Sequence, residues 1–290
     1  MKMVFPFFSF QGISLSQPNT RFKMKLRATL FSFVIIVGGF SAAHAAGLND
    51  TGIVLCGNAA SNAVDCSSAD PAGYPRQDGR FGRAAMDAAG VLYKVGASSS
   101  LGFDFTKIAN NGTELAANAA LGSGATDWAC TRDNVTGLTW EVKVDDNTHL
   151  RHKSHAYTWY DTDSTRNGGN SGSVGTNTCN ATLPSSQCNT QAYVTAVNSA
   201  QLCGYSDWRM PHKDELLGLV DQSKQESGAA IIDSTYFPNA TTGWHWTGTN
   251  YAGNPADAWF VDFDYGYDAY DYNGVDKTSG TVVRLVRGGQ

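Results

Sequence analysis

The chain has 290 residues, of which 42% are hydrophobic and 16% are charged, so it carries enough apolar material for a folded core. Its 21 lysines and arginines against 26 aspartates and glutamates give a net charge of −5 at pH 7. An acidic surface repels nucleic acids and anionic membranes, and the sequence therefore predicts neither as a partner.

Residues 1–45 have the pattern of an export signal. A basic stretch precedes an apolar run at 30–37, and Ala43, His44 and Ala45 supply a small-x-small cleavage site. The apolar run is shorter than the roughly 20 residues that a spanning helix needs, so no membrane span is predicted. Removing this segment takes away five of the 21 basic residues and none of the 26 acidic ones, which leaves a net charge of −10. Whether translation starts at Met1 or Met24 stays open.

Six cysteines follow the export signal, and an even number in an exported chain predicts three disulfides. Six cysteines allow about 15 connectivities. Loop entropy and spacing favour Cys56–Cys66 and Cys179–Cys188 as local bonds, which leaves Cys130–Cys203 as the long-range one. Zinc is the competing interpretation, but the sequence has no Cys-x-x-Cys pair and no Cys/His cluster.

Composition divides the exported part in two. Residues 46–127 are rich in Ala, Gly, Ser and Asn with few periodic apolar segments, which predicts a loop-rich leading region. Residues 128–290 have clearer periodicity and form the second predicted domain.

The second part alternates between helical and strand patterns. Leu138, Trp140 and Val142 alternate with polar residues, which predicts a strand with one buried face. A helix is predicted at 190–202, ended by Gly204, and a second one after Pro211. Further strands are predicted around 244–247, 259–264 and 282–286. Two early helices and late antiparallel strands are typical of an α+β domain.

Three sequence blocks in this part occur in a specific order: 130–141 (CTRDNVTGLTWE), 203–216 (CGYSDWRMPHKDEL) and 282–288 (VVRLVRG). Together they resemble the Lcl C-terminal domain family, named after a collagen-like bacterial surface adhesin. The resemblance implies a C-type-lectin-like fold with two helices and a mainly antiparallel sheet. It also implies an exported binding module, located in the periplasm, at the cell surface or outside the cell. The collagen-like tract of the namesake is absent from this sequence.

Within these blocks, four residues are assigned structural roles: Trp140, Trp208, Arg209 and Arg284. Asp207, Trp208 and Arg209 together also suggest a catalytic site, because an acid, a guanidinium and an indole are adjacent. The structural interpretation is favoured, since Arg can make bidentate bonds that fix a turn while Trp fills the core.

The sequence lacks the common hydrolase signatures, and no catalytic residue is assigned. His149, His152 and His155 recur every third residue, but no carboxylate is spaced to complete a metal site, and a polar surface loop is predicted there. The run 262–268 does not match a calcium loop. No cofactor is assigned, and calcium stays an open alternative.

The segment 250–273 holds five of the 12 tyrosines, interleaved with aspartates. Strand alternation places Phe263, Tyr265 and Tyr267 on one face and the aspartates on the other. This composition is typical of a binding surface. The predicted ligand-binding residues are Tyr251, Tyr265, Tyr267, Asp268, Tyr270, Asp271 and Tyr272. A solvated hairpin with tyrosines lying over the sheet is the alternative, and a diversified segment is a further one.

The sequence therefore predicts a non-enzymatic exported module that recognises a glycan or a surface protein through 250–273. The alternative is a structural or assembly component of the cell envelope or a pilus. The sequence does not predict the oligomeric state.

Overall fold

Two antiparallel sheets form the framework of the computed structural model, which describes residues 48–67, 73–183, 187–225, 228–267 and 274–288. The predicted export signal lies outside these residues. Helices are few and short, so the described chain is an α+β structure, as predicted.

The first sheet has five strands in the order β2-β1-β3-β4-β8, all paired antiparallel. Its strands are β1 (Phe105–Ala109), β2 (Glu114–Leu115), β3 (Trp128–Asp133), β4 (Thr139–Glu141) and β8 (Val286–Arg287). The leading region supplies β1 and β2, so this sheet crosses the boundary expected at 127/128.

The second sheet has three strands in the order β5-β6-β7, also antiparallel. They are β5 (Trp244–Asn250), β6 (Asp257–Asp262) and β7 (Val275–Asp276). The described residues also form four α-helices: α1 (Asp78–Phe81), α2 (Arg83–Ala88), α3 (Thr190–Ser199) and α4 (Lys213–Leu217).

Helix α3 begins where predicted and ends earlier. The Asn189 side chain accepts a hydrogen bond from the Ala192 N–H at 2.9 Å and caps the first turn. The helix ends at Ser199 because Gln201 has the left-handed φ of 50°, and a 3-10 turn over Leu202–Gly204 follows. Gly204, with φ 76°, ends that turn and not the helix.

The strand at 138–142, which was predicted to bury one face, is buried on both, and burial on both faces recurs in β5. In β4 all three residues are buried, and in β5 His245 and Thr247 are buried together with Trp246. The reason is a second apolar cluster: Trp246 and Phe260 pack into a cluster around α3, while Val261 and Phe263 pack into a cluster around α4. The prediction of one buried face was therefore wrong.

The last predicted strand, 282–286, is also corrected. Regular pairing with β4 is confined to Val286–Arg287, while Val282 makes a parallel bridge with His245 of β5. Val286 pairs with Arg209 on its other side, with N···O distances of 2.9 and 3.0 Å. The C-terminal segment thus runs between the two sheets and touches both.

The six cysteines form Cys56–Cys66, Cys130–Cys203 and Cys179–Cys188. Cys130 lies in β3 and Cys203 in the turn after α3, so this bond joins the first sheet to the α3 cluster over a separation of 73 residues. Cys179–Cys188 closes a separation of only 9 residues.

We expect the double substitution Cys130→Ala, Cys203→Ala to destabilise the protein by about 2–5 kcal/mol, because it frees the longest cross-linked loop in the unfolded chain. The matched control Cys179→Ala, Cys188→Ala should lose less free energy of unfolding. The difference between the two losses should be roughly 2 kcal/mol in the chain-entropy model. Urea unfolding of both variants measures the difference. Equal losses would contradict the assignment of Cys130–Cys203 as the dominant bond.

Candidate functional site

The tyrosine-rich segment does not continue as a strand. Strand β6 ends at Asp262, and residues 263–266 form a tight turn, closed by hydrogen bonds from Asp262 N–H to Tyr267 O and from Gly266 N–H to Asp262 O, both 2.8 Å. Gly266 has φ 76°, and a Cβ there would come within 2.9 Å of Val220 Cγ1. The expected alternation beyond Phe263 is therefore wrong, because the chain reverses.

The predicted binding residues fall into separate places. Tyr251 lies beside the start of β6, where its N–H donates to Asp257 O, whereas Tyr265 and Tyr267 lie beyond the end of β6. Five residue steps along a strand separate these ends by roughly 17 Å. Tyr251 packs edge-to-face on Trp259 at 5.4 Å. Asp268, Tyr270, Asp271 and Tyr272 lie outside the described residues.

Tyr267 belongs to a lateral row of side chains at the end of the second sheet. Trp244 is the register partner of Asp262, and Asp262 is bridged to Tyr267. Residues directly opposite each other on neighbouring strands project from the same face. The rings of Tyr265 and Tyr267 stack at 5.7 Å with planes 10° apart. We call Trp244, Asp262, Tyr265 and Tyr267 the aromatic row.

Two members of the aromatic row are well exposed: Trp244 by 44% and Tyr265 by 55%. The indole of Trp244 rests on buried Phe260, with ring centroids 4.7 Å apart, and its Nε1–H donates to Asp262 Oδ2 at 3.2 Å. Asp262 is itself buried and accepts from Asp264 N–H at 2.8 Å through Oδ1. It therefore orients the indole and is not itself presented to a ligand.

Sequence reasoning missed Trp244, which was assigned only to a strand. A tryptophan at the first position of a strand, in register with an aspartate that precedes a tyrosine turn, is the signal that would have found it. The pairing of β5 with β6 supplies that register, and no short-range pattern contains it.

Of the four residues assigned structural roles, Trp140, Trp208 and Arg284 are buried. Trp140 is fully buried, and Trp208 is buried with its Nε1–H donating to Leu202 O at 3.0 Å. Arg209 makes a bidentate pair with Glu215, with N···O distances of 2.8 and 2.7 Å. Asp207 pairs with Arg287. Asp207 and Arg209 thus have different partners, and each fixes the loop before α4.

Arg284 belongs to a buried charged network. Its Nη1 donates to Glu141 O at 2.7 Å, and its guanidinium lies 5.1 Å from the Phe237 ring centroid. The Glu141 carboxylate accepts from Lys143 Nζ at 3.0 Å and from the hydroxyl of Tyr193. These groups are enclosed by the core and bonded to one another, which indicates a structural network.

Burial shifts the pKa of two basic groups in this region, Lys143 and His245. It lowers the pKa of Lys143 to about 8, although Glu141 acts in the opposite direction. Burial, with the nearby Arg284 guanidinium, lowers the pKa of His245 to about 3. His245 is therefore neutral in the folded protein at any physiological pH.

The three spaced histidines lie in a loop whose residues 145–148 are exposed, but none of the three is itself exposed. His155 is buried, and its ring lies 4.9 Å from that of His152. Burial lowers the pKa of His155. Within the described residues, no group of three or more His, Cys, Asp or Glu side chains is arranged to hold a metal ion.

Comparison with known proteins identifies the second part of the chain. The model of the Lcl C-terminal domain matches residues 129–287, more than half of the chain, and the chain belongs to this family. The resemblance of the three sequence blocks is thereby confirmed. No curated protein matches the chain, and no solved structure does.

Membership in this family indicates a surface module of the adhesin type, in a family that is not one of known enzymes. Together with three disulfides, it indicates an exported protein. Among the described residues, no helix is long and apolar enough to cross a bilayer.

We expect His245 to make the protein sensitive to acid. Between its ordinary pKa of 6.5 and its folded value of about 3, the unfolded chain binds a proton that the folded chain does not. The free energy of unfolding therefore falls as the pH is lowered through this window, by up to about 1.4 kcal/mol per pH unit from this group.

The test compares urea unfolding of the protein and of His245→Asn at several pH values from 6.5 to 3. Asparagine keeps a donor for Gly243 O and does not titrate. The pH slope of the substituted protein should be shallower. Identical slopes would show that His245 is not held neutral by the fold.

Proposed function

We propose that this protein is an exported, non-enzymatic binding module that recognises a glycan through the aromatic row. The observation that carries the proposal is the combination of two exposed aromatic rings, Trp244 and Tyr265, with rigid support from below. Flat aromatic faces bury the C–H faces of sugar rings, while a nearby phenol or indole edge meets their hydroxyl groups.

Rigidity favours this use of the row. Trp244 is held by Phe260 beneath it and by Asp262 beside it, and Tyr265 is held by stacking on Tyr267. Large rings that are fixed before binding lose little conformational entropy when a ligand arrives. A surface protein presenting an apolar or glycosylated patch is the second class of ligand that such a row suits.

Four of the predicted binding residues follow the aromatic row along the chain. Asp268 follows Tyr267 directly along the chain, so the run that contains Asp268, Tyr270, Asp271 and Tyr272 begins at the aromatic row. We propose that these residues extend the binding surface and that Tyr251 does not belong to it. Calcium is not required by this proposal.

We further propose a C-type-lectin-like fold for residues 128–290, preceded by the leading region 46–127 and an export signal at 1–45. The antiparallel sheets, the two helices α3 and α4, and the long-range bond Cys130–Cys203 support this architecture. The two sheets share the C-terminal segment, as one domain requires.

A structural or assembly role is the second candidate, and one observation favours it. Of the 14 large apolar side chains exposed among the described residues, ten lie in the leading region between Leu48 and Val95. Exposed apolar surface of this kind is a common mark of protein–protein contact. In this case the leading region, and not the aromatic row, would hold the partner.

The two candidates are separated by binding of the purified exported chain to an array of glycans and bacterial surface proteins. Trp244→Ala and Tyr265→Ala should each weaken glycan binding by about tenfold, which corresponds to 1.4 kcal/mol of lost stacking. The double variant should abolish the signal. Thermal unfolding should change little, because both side chains are exposed.

Tyr93→Ala is the matched control, since Tyr93 is 84% exposed and lies in the leading region. It should leave glycan binding unchanged. If Tyr93→Ala loses binding to a bacterial surface protein on the array while Trp244→Ala keeps it, the assembly role is favoured instead. Unfolding of Tyr265→Ala at lower temperature would mark this tyrosine as part of the core.

A further inference from the structure

A pair of histidines lies in the loop between β4 and the buried tyrosine Tyr157. Two successive turns bring the rings together: His152 N–H donates to His149 O at 3.0 Å, and His155 N–H donates to His152 O at 3.4 Å. The rings meet edge-to-face, with centroids 4.9 Å apart and planes at 63°. His152 and His155, three residues apart in the sequence, are therefore in direct contact.

The Nε2 atom of each ring faces an oxygen. Nε2 of His155 is 3.1 Å from Asn147 O, and a carbonyl oxygen can only accept, so this nitrogen carries the proton. Nε2 of His152 lies 3.8 Å from Asp145 Oδ1, which is too far for a hydrogen bond, but the charge of this carboxylate favours a proton on the same nitrogen. A neutral imidazole with Nε2 protonated has a lone pair on Nδ1.

Both Nδ1 atoms are buried and have no hydrogen-bond partner. A buried acceptor without a partner costs about 1–3 kcal/mol, and two such atoms on neighbouring rings are therefore unusual. His155 as a whole is only 3% exposed. The hydrogen bonds within the loop therefore leave these two lone pairs without a partner.

Histidine metal ligands divide their two nitrogens in the way that His155 does. A ligating imidazole binds the metal through one nitrogen and donates the other N–H to a carbonyl or a carboxylate, which fixes the ring. Imidazole nitrogen suits zinc, copper and nickel. We propose that His152 and His155 bind one divalent transition-metal ion through their Nδ1 atoms.

The two imidazoles are the ligands that the described residues supply, because no third His, Cys, Asp or Glu side chain completes a group with them. The remaining positions would be taken by water or by a ligand donor, which makes the ion exchangeable. Asp145, whose side chain is 58% exposed, lies beside His152 and is paired with Lys153 Nζ at 2.8 Å, so its charge is largely balanced within the loop.

His149 offers a matched control on the same loop. Its Nδ1 accepts a hydrogen bond from Arg151 N–H at 3.0 Å, so its lone pair is already used. The three histidines are equally spaced in sequence, and only the pair with unpartnered Nδ1 atoms is assigned to the metal.

The test is calorimetric titration of Zn²⁺ into the whole exported chain, purified without a histidine tag, at neutral pH. We expect one equivalent to bind. His152→Gln and His155→Gln should each weaken binding at least tenfold, whereas His149→Gln should leave it unchanged. Absence of saturable binding, or equal loss in all three variants, would overturn the proposal.

A second measurement uses the unsubstituted protein, so it does not depend on variants that fold. Long-range ¹H–¹⁵N NMR of the imidazoles should show Nε2-protonated rings for His152 and His155 without metal. Added Zn²⁺ should then shift their Nδ1 resonances and leave that of His149 in place. Protonated Nδ1 atoms in the metal-free protein would refute the assignment, as would unchanged Nδ1 shifts when Zn²⁺ is added.

Discussion

Glu141 ties the C-terminal segment into the fold through its backbone and its side chain together. Its N–H donates to Leu285 O at 3.0 Å, and its carboxylate accepts from Leu285 N–H at 3.0 Å. Its carbonyl accepts from Arg284 Nη1 at 2.7 Å. Regular backbone pairing between β4 and β8 stops at Glu141. There the Leu285 N–H bonds to the Glu141 side chain, and the Glu141 carbonyl bonds to the Arg284 side chain. The first and third sequence blocks are thus joined at Glu141 as well as by the pairing of β4 with β8, and Arg209 of the second block pairs with neighbouring Val286.

The position of the aromatic row follows from this attachment. Val282, three residues before Leu285, bridges to His245, and the hydroxyl of Thr281 donates to Trp244 O. The start of β5 is thereby fixed to the C-terminal segment, which Glu141 holds against β4. Phe260 then supports the Trp244 indole from below. The buried contacts of Glu141 in the first sheet thus determine the position of the exposed Trp244 ring in the second sheet.

Much of this arrangement can be predicted from the sequence. The features that were predicted wrongly depend on contacts between residues distant in the chain or on a turn that local patterns do not reveal. The cysteine spacings and the start of α3 at Thr190 depend on local chemistry, and the structure agrees with both. Glu141 and His245 occupy positions that alternation assigns to solvent, because their burial depends on partners distant in the chain. The turn at 263–266 was hidden since its residues also alternate in polarity, and only Gly266 marks the reversal. The exposure of Trp244 depends on a strand register that no local pattern encodes.

The Glu141 carboxylate compensates the buried cations Lys143, Arg151 and Arg284 and so holds the C-terminal segment in place. Burial alone would raise the pKa of Glu141, but Lys143 and Arg151, together with hydrogen bonds from Tyr193 and Leu285, keep it below its ordinary value. The most direct test is the free energy of unfolding of Glu141→Gln, with Glu114→Gln as the control for a surface ion pair with Arg132. Glu141→Gln should lose about 3–5 kcal/mol, as expected when buried charge is left uncompensated. The control should lose no more than about 1 kcal/mol. A Glu141→Gln protein as stable as the control would contradict the account.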